Sequence, residues 1–392
     1  MSGPPPGGPG EDMHEVSELA TDKVFAPKGA GSDAARLGKP GRFARMMHRP
    51  ELGALSGVIL VYIVFYILAS DSGMFSLSGL VNIFQVSAET GVLAVAAALL
   101  MIAGEFDLSM GSMIGFAGVT IGLCATLFGL SLPLSILVAF SLCMLIGAAN
   151  GWLTVKTGLP SFIVTLASLL VLRGLAIAVT RLLNGYTQIS NITAGDPDSF
   201  VVSLFSGRVG HPFFVWMSEH GWIDKKLDGG PSVDGLPASI AWWIGLTALA
   251  TWVLLRTRFG NWIFAVGGDE KAARNVGVPV NRVKIILFVL TALSAAVFAA
   301  IQVFEVGSAD TLRGTQKEFD AIIAVVIGGT LLTGGYGSAV GAFLGALIYG
   351  TVQIGIFYTG IDTDWFKVFL GLMVLAAVLF NNYVRRRATL AR

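Results

Sequence analysis

Ten apolar runs, most of them long enough to cross a bilayer, follow one another along residues 52–382 and leave this chain few folds to choose from. They fall at roughly 52–70, 79–103, 110–129, 132–155, 160–181, 238–255, 283–304, 320–334, 337–358 and 364–382. A spanning helix needs about 20 mostly apolar residues, and in lipid every backbone polar group has to be satisfied within the helix or by neighbouring protein. The expected fold is therefore all-α, a polytopic integral membrane protein with about ten transmembrane helices. At 54% hydrophobic and 13% charged residues, with mean hydropathy +0.74, soluble enzyme folds drop out. The run at 320–334 is short and carries Gly328, Gly329 and Gly334, so a broken or re-entrant helix is the alternative there.

Loop charges set the expected orientation. The loop at 256–284 carries Arg256, Arg258, Lys271, Arg274, Arg282 and Lys284, and the C-terminal end carries Arg385, Arg386 and Arg387, so both are assigned to the cytoplasm. Segment 182–237 holds four basic residues, with Arg181 at its edge included, against six acidic ones, and reads as a periplasmic insertion. Residues 1–50 open with GPPPGGPG and end in the basic run Arg36, Lys39, Arg42, Arg45 and Arg49; they read as a disordered, basic cytoplasmic tail, with no signal-peptide h-region. A transmembrane domain at 51–385 and a short cytoplasmic tail at 386–392 complete the division, with both termini inside. Net charge +1, with no basic stripe beyond the short flanks of the runs, argues against nucleic acid as a partner, and the two cysteines, Cys124 and Cys143, read as small buried hydrophobes rather than metal ligands.

A shift of 230 residues lays IAGEFDLSMGSMIG at 102–115 on LTGGYGSAVGAFLG at 332–345, with Gly104, Gly111 and Gly115 over Gly334, Gly341 and Gly345. The shift spans an even number of runs, so the two copies would lie parallel in the membrane rather than inverted. Close helix packing by small residues accounts for the same glycines without any repeat.

Polar residues within the runs need separate explanation, because ionisable groups at depth cost at least a few kcal/mol and face a cavity or a partner. Glu105 and Asp107, followed by Ser109, stand between the second and third runs; they are either solvated at the headgroups or turned into the bundle. Arg173 lies inside the fifth run and calls for an acid or a cavity, Asp107 being one choice of partner. Asn150 ends the fourth run, and LPSFIVT at 159–165 opens the fifth, with Pro160 suited to a helix start. Ser161 and Thr165 share a helix face, although such hydroxyls commonly bond their own backbone.

Within GGDEKAARNVGVPVNRVK at 267–284, Gly268 or Asp269 can cap a short helix with Glu270 in its first turn, Ala272 and Ala273 in its body and Gly277 as its stop. A two-turn helix is marginal alone, so it fits a groove on a soluble subunit, or else rests on headgroups. No phosphate-cradling G-x-x-x-x-G-K-[ST], no H-E-x-x-H and no G-x-S-x-G occurs, which leaves no assigned catalytic or metal-binding residue.

Those three segments, GEFDLSMGSMIGFAG, NGWLTVKTGLPSFIVTLASLLVLRGL and GGDEKAARNVGVPVNRVKI, together resemble the permease subunits of bacterial sugar ABC importers, the family serving ribose, xylose, arabinose and galactose. The likeness covers roughly residues 50–385. The family's Gly-x-Asp-Leu-Ser core is one position longer here, Gly104-Glu105-Phe106-Asp107-Leu108-Ser109, and the long 182–237 insertion is similar to the xylose-type permeases. The resemblance implies a type II-like importer bundle in the bacterial inner membrane, built from two permease chains. A periplasmic binding protein would deliver D-xylose or a related pentose, and a separate cytoplasmic ATPase would hold the ATP and Mg, with no cofactor on this chain. By that likeness Gly268, Asp269, Glu270, Ala272, Ala273 and Gly277 couple to the ATPase, while Asp107, Ser109, Asn150, Ser161, Phe162, Thr165 and Arg173 border the sugar pathway. A stand-alone ion-coupled carrier is the alternative, favoured if Glu105, Asp107 and Arg173 form one titrating site.

Overall fold

The computed structural model describes Gly3 and residues 50–226 and 229–390; the rest of the expected N-terminal tail, with its basic run, lies outside the described residues. Fourteen helices follow in chain order: α1 (Pro50–Ala69), α2 (Leu77–Ile102), α3 (Met110–Thr126), α4 (Leu132–Thr157), α5 (Ser161–Asn184), α6 (Phe200–Ser206), α7 (His211–Glu219), α8 (Ala238–Arg256), α9 (Arg258–Gly268), α10 (Glu270–Asn275), α11 (Val280–Val306), α12 (Lys317–Ile327), α13 (Ala339–Thr359) and α14 (Phe366–Leu390). Among the described residues seven, α1, α2, α4, α5, α8, α11 and α13, are long and apolar enough to cross a membrane. They fall on seven of the ten apolar runs. Of the others, α3 is apolar but 17 residues long, and the run at 320–334 yields only the 11-residue α12 before the chain turns at Gly328 and Gly329, the broken form of that run.

Burial sorts the helices into two layers. Some 78% of the most apolar window of α2 is buried, against 17% for α1 and 28% for α5, so α2 is central and the other two present apolar side chains outward. α11 lies along α4, α3 and α2, and α13 along α2, α1 and α12. Small residues make the centre tight: a Cβ on Gly147 would stand 2.6 Å from the Phe288 carbonyl, one on Gly350 would meet Ser87, and the Trp243 indole of α8 fills the notch at Gly91 while stacking on Phe343 at 3.9 Å.

Two ends of the bundle are distinguishable. At the far end, β1 (Gln188–Ile189) follows α5 and β4 (Ala309–Asp310) follows α11; they pair antiparallel, Gln188 opposite Asp310 and Ile189 opposite Ala309. The insertion lies on that side, with α6, α7 and a second short pair, β2 (Arg208–Val209) and β3 (Leu236–Pro237), before α8 begins after Pro237. At the near end α2 stops at Ile102, α4 ends at Thr157, and α9 and α10 sit between α8 and α11. The aligned glycine segments meet there. α2 and α12 both run toward the near end, break, and are followed by α3 and α13 running back, and the break at 328–338 donates the Gly335 N–H to the Ile102 carbonyl at 2.8 Å.

Candidate functional site

The chain between α2 and α3 leaves the helix through Gly104, at φ +84°, and must satisfy its backbone donors away from any helix ladder. α5 supplies the partners: the Phe106 N–H donates to Ser161 Oγ and the Leu108 N–H to Thr165 Oγ1, both at 3.0 Å. Thr165 also donates to its own backbone at Ser161 O, so its hydroxyl serves both uses open to it from sequence. Asp107 then turns inward, 3% exposed, accepting from the Ser109 N–H at 2.9 Å, Ser109 Oγ at 2.5 Å and Thr291 Oγ1 of α11 at 2.6 Å. Asn150 of α4 donates to Ser109 Oγ at 3.1 Å. Five of the sequence-derived pathway residues, Asp107, Ser109, Asn150, Ser161 and Thr165, thus form one closed cluster that holds segment 103–109 against α4, α5 and α11. The inward of the two readings for the acids is the one adopted.

Two others are not brought in. Phe162 is 50% exposed on the outer side of α5, since its neighbours Ser161 and Thr165 occupy the inward face. Arg173 is not paired with Asp107, whose oxygens are taken by hydroxyls and a backbone N–H; it lies two turns further along α5, and its charge acts on Glu318 of α12. Glu318 is itself buried, its carboxylate pressed against Gly111, and its Oε2 and the Arg173 Nε have no hydrogen-bond partner. The titrating group of Glu105, Asp107 and Arg173 on which a carrier would depend is therefore not assembled.

Segment 267–284 folds as its residues suggest. Asp269 caps α10, its carboxylate accepting from the Ala272 N–H at 2.9 Å, and Gly277, at φ +86°, lies just beyond the helix end. Ala273 is buried, whereas Gly268, Asp269, Ala272 and Gly277 are exposed. Val276, which no periodicity singles out, is 80% exposed at the end of that face.

Lys284, which sequence reasoning counted only as a loop charge, ties this segment to the break. Its Nζ lies 2.7 Å from Glu270 Oε2 and 2.6 Å from Glu105 Oε1, at only 11% side-chain exposure. Glu270 also takes Arg274 at 3.0 Å. The hydrogen bond from Lys284 holds the Glu270 carboxyl below its usual range, against the opposing effect of partial burial. From Lys284 to Thr291 is seven residues of α11, about 10 Å, so the break descends from an ionic contact at its rim to the Asp107 cluster below. The backbones meet as closely: a Cβ on Gly267 would stand 1.8 Å from the Ile102 carbonyl and 2.6 Å from the Gly335 nitrogen, and one on Gly334 would stand 2.8 Å from Gly104 Cα. The α9–α10 segment thereby meets both helix breaks, α9 through Gly267 against Ile102 and Gly335 and α10 through Glu270 and Lys284 to Glu105.

Among the described residues no group of three or more His, Cys, Asp or Glu could hold a metal ion, and both cysteines are free and buried.

Residues 79–378 match the family model described as branched-chain amino acid transport system / permease component. The chain is similar to the xylose transport system permease protein of Escherichia coli K12, at 33% identity over 378 residues covering 86% of this chain and 93% of that protein. It is also similar to the ribose import permease protein of the same organism, at 32% over 330 residues covering 83% and 92%. A xylose transport system permease protein of Haemophilus influenzae is 28% identical over 360 residues, covering 84% and 95%. No solved structure matches the chain.

Proposed function

We propose, since the chain belongs to the ABC importer permease family that includes the ribose and xylose permeases, that it forms the membrane pathway for D-xylose or a related pentose. A permease of that family is a multi-pass inner-membrane transport subunit and not an enzyme. In this reading two copies of the chain enclose the pathway and a binding protein delivers sugar at the far end, beside the insertion. A separate ATPase, carrying the ATP and Mg, grips the exposed face of α10 at the near end. Loop 256–284 and both tails then lie in the cytoplasm, and segment 182–237 in the periplasm, in keeping with the positive charge of the former.

One observation carries the reading: α10, too short to persist alone, is bonded through Glu270 and Lys284 to Glu105 of the break between two central helices. A pull on Gly268, Asp269, Ala272 and Gly277 moves that break, and with it the cluster of Asp107, Ser109, Asn150, Ser161 and Thr165. Because those five side chains are spent on one another, on Thr291 and on the backbone of 103–109 in this conformation, their part in the pathway is to hold and release that segment; Phe162 and Arg173 stand apart from the cluster. The test is reconstitution. Proteoliposomes holding the permease, its ATPase and its binding protein should take up D-xylose only with ATP, and omission of the ATPase should abolish uptake. Uptake by the permease alone, driven by an ion gradient, would refute it.

A further inference from the structure

Beyond the near-end junction, α2 and α11 carry four large polar side chains where their neighbours are buried apolar residues. Gln85 and Glu89 lie one turn apart on one face of α2, and Gln302 and Glu305 lie one turn apart on α11. They pair across the two helices: Gln85 Nε2 donates to Glu305 Oε1 at 2.5 Å, and Gln302 Nε2 donates to Glu89 Oε2 at 2.9 Å. All four are half-buried, and each pair uses a single N–H and a single carboxylate oxygen. The charges of Arg313 and Lys317 act on Glu89 and that of Arg208 on Glu305 from a distance, so neither carboxylate is closed off by an ion pair. Helix packing alone does not call for carboxylates at such depth, which mark a cavity or a substrate route when they occur.

A cavity opens beside them. It has a volume of about 170 Å³, lies between α2 and the insertion, and is lined by Asn82, Gln85, Arg208, Lys226 and Asp234 among others. Gln85 lines the cavity and bonds Glu305, so the cavity meets the paired cluster at that side chain, with Glu89 and Gln302 one turn deeper on α2 and α11.

We propose that the Gln85–Glu305 and Gln302–Glu89 pairs form a saccharide-handling station in the far half of the pathway. This rests on the permease reading above. The chemistry selects a polyhydroxylated solute: vicinal hydroxyls each donate and accept, and planar carboxamides and carboxylates offer both functions at matching spacing. A sugar takes over the N–H and oxygen that each pair spends on itself, so the exchange is nearly even and the solute is held weakly, as passage demands. An aliphatic amino acid side chain has nothing to exchange.

The reconstituted complex tests this. Gln85→Met and Gln302→Met preserve side-chain length while removing every hydrogen bond, and D-xylose uptake efficiency should fall about ten- to a hundredfold in each, the effect of losing bonds that engage a charged partner. The second measurement is direct: in Asn82→Cys, on the cavity wall one turn from Gln85, D-xylose should slow modification by a small thiosulfonate reagent, and leucine should not. Unchanged uptake in both methionine variants, or modification that D-xylose fails to slow, overturns the station. A wild-type complex that moves no sugar overturns the permease reading instead, while xylose protection of the cysteine still decides the station.

Discussion

Replacing Lys284 by methionine isolates the link between α10 and the membrane core. The substitution keeps the aliphatic stem, which packs at 9% residue exposure, and removes the cation that serves Glu105 at 2.6 Å and Glu270 at 2.7 Å. The two carboxylates then fare differently. Glu270, with 43% side-chain exposure and Arg274 still at 3.0 Å, turns to solvent, and its loss is worth about 0–1 kcal/mol. Glu105, at 12% exposure, is left as an unpaired buried charge, for which about 3–5 kcal/mol applies at full burial and about 3 kcal/mol is reasonable here. The sum, about 3 kcal/mol, corresponds to about a hundredfold shift between the fastened and released states of segment 103–109. Thermal unfolding in nanodiscs and ATP-driven uptake read the two consequences, and both should fall. The double variant Lys284→Met/Glu105→Gln removes the orphaned charge and should recover about 2 kcal/mol of the loss, because breaking one partner costs more than replacing both. A single variant as stable as wild type, or a double variant no better than the single, refutes the bridge.

Five shorter predictions rest on the same geometry. Glu270 has its folded-state carboxyl held down by Lys284, so its contribution is present above the unfolded value near about 4.3 and is lost as pH falls through the lower folded value; ATPase association should stay flat from about pH 8 to 5, and a midpoint above pH 5 would contradict this. Gly267→Ala forces a methyl against two backbones, at 1.8 and 2.6 Å, and should destabilise by about 3 kcal/mol. Gly268→Ala meets nothing within 4 Å and should leave the unfolding midpoint unchanged. Thr165→Val strands the Leu108 N–H and should cost about 1–3 kcal/mol, whereas Thr165→Ser should not, as a melting comparison would show. Val276→Asp should leave the melting curve alone but weaken ATPase capture about tenfold in a pull-down titration, Val276 being 80% exposed at the end of the face proposed to dock the ATPase.

Local features were the readable ones. Asp269 as a cap, Gly277 as a stop and the seven long helices follow from residues close in sequence, where the 3.6-residue period and capping chemistry operate. The pairing of Lys284 with Glu105 joins residues 179 positions apart, and nothing at either site announces the other. Arg173 illustrates the same limit: its need for an acid was legible, but the neighbour is Glu318 rather than Asp107, because segment 103–109 spends Asp107 on hydroxyls. Gln85, Glu89, Gln302 and Glu305 escaped notice because each stands singly among apolar neighbours and only the crossing of α2 and α11 makes them a group. At 320–334 the broken alternative was legible in Gly328 and Gly329, which admit a turn where apolar content alone reads as continuous helix.

The small β1–β4 pair acquires a mechanical meaning from its place. It staples the ends of α5 and α11 farthest from α10, while Lys284 sits within the first turns of α11. A rod of 27 residues, about 40 Å long, anchored at one tip and tugged at the other, swings rather than slides. A tug of about 3 Å becomes a tilt of about 4°, greatest where the ATPase would pull and vanishing at the staple, so the outer mouth can stay still while the inner one opens.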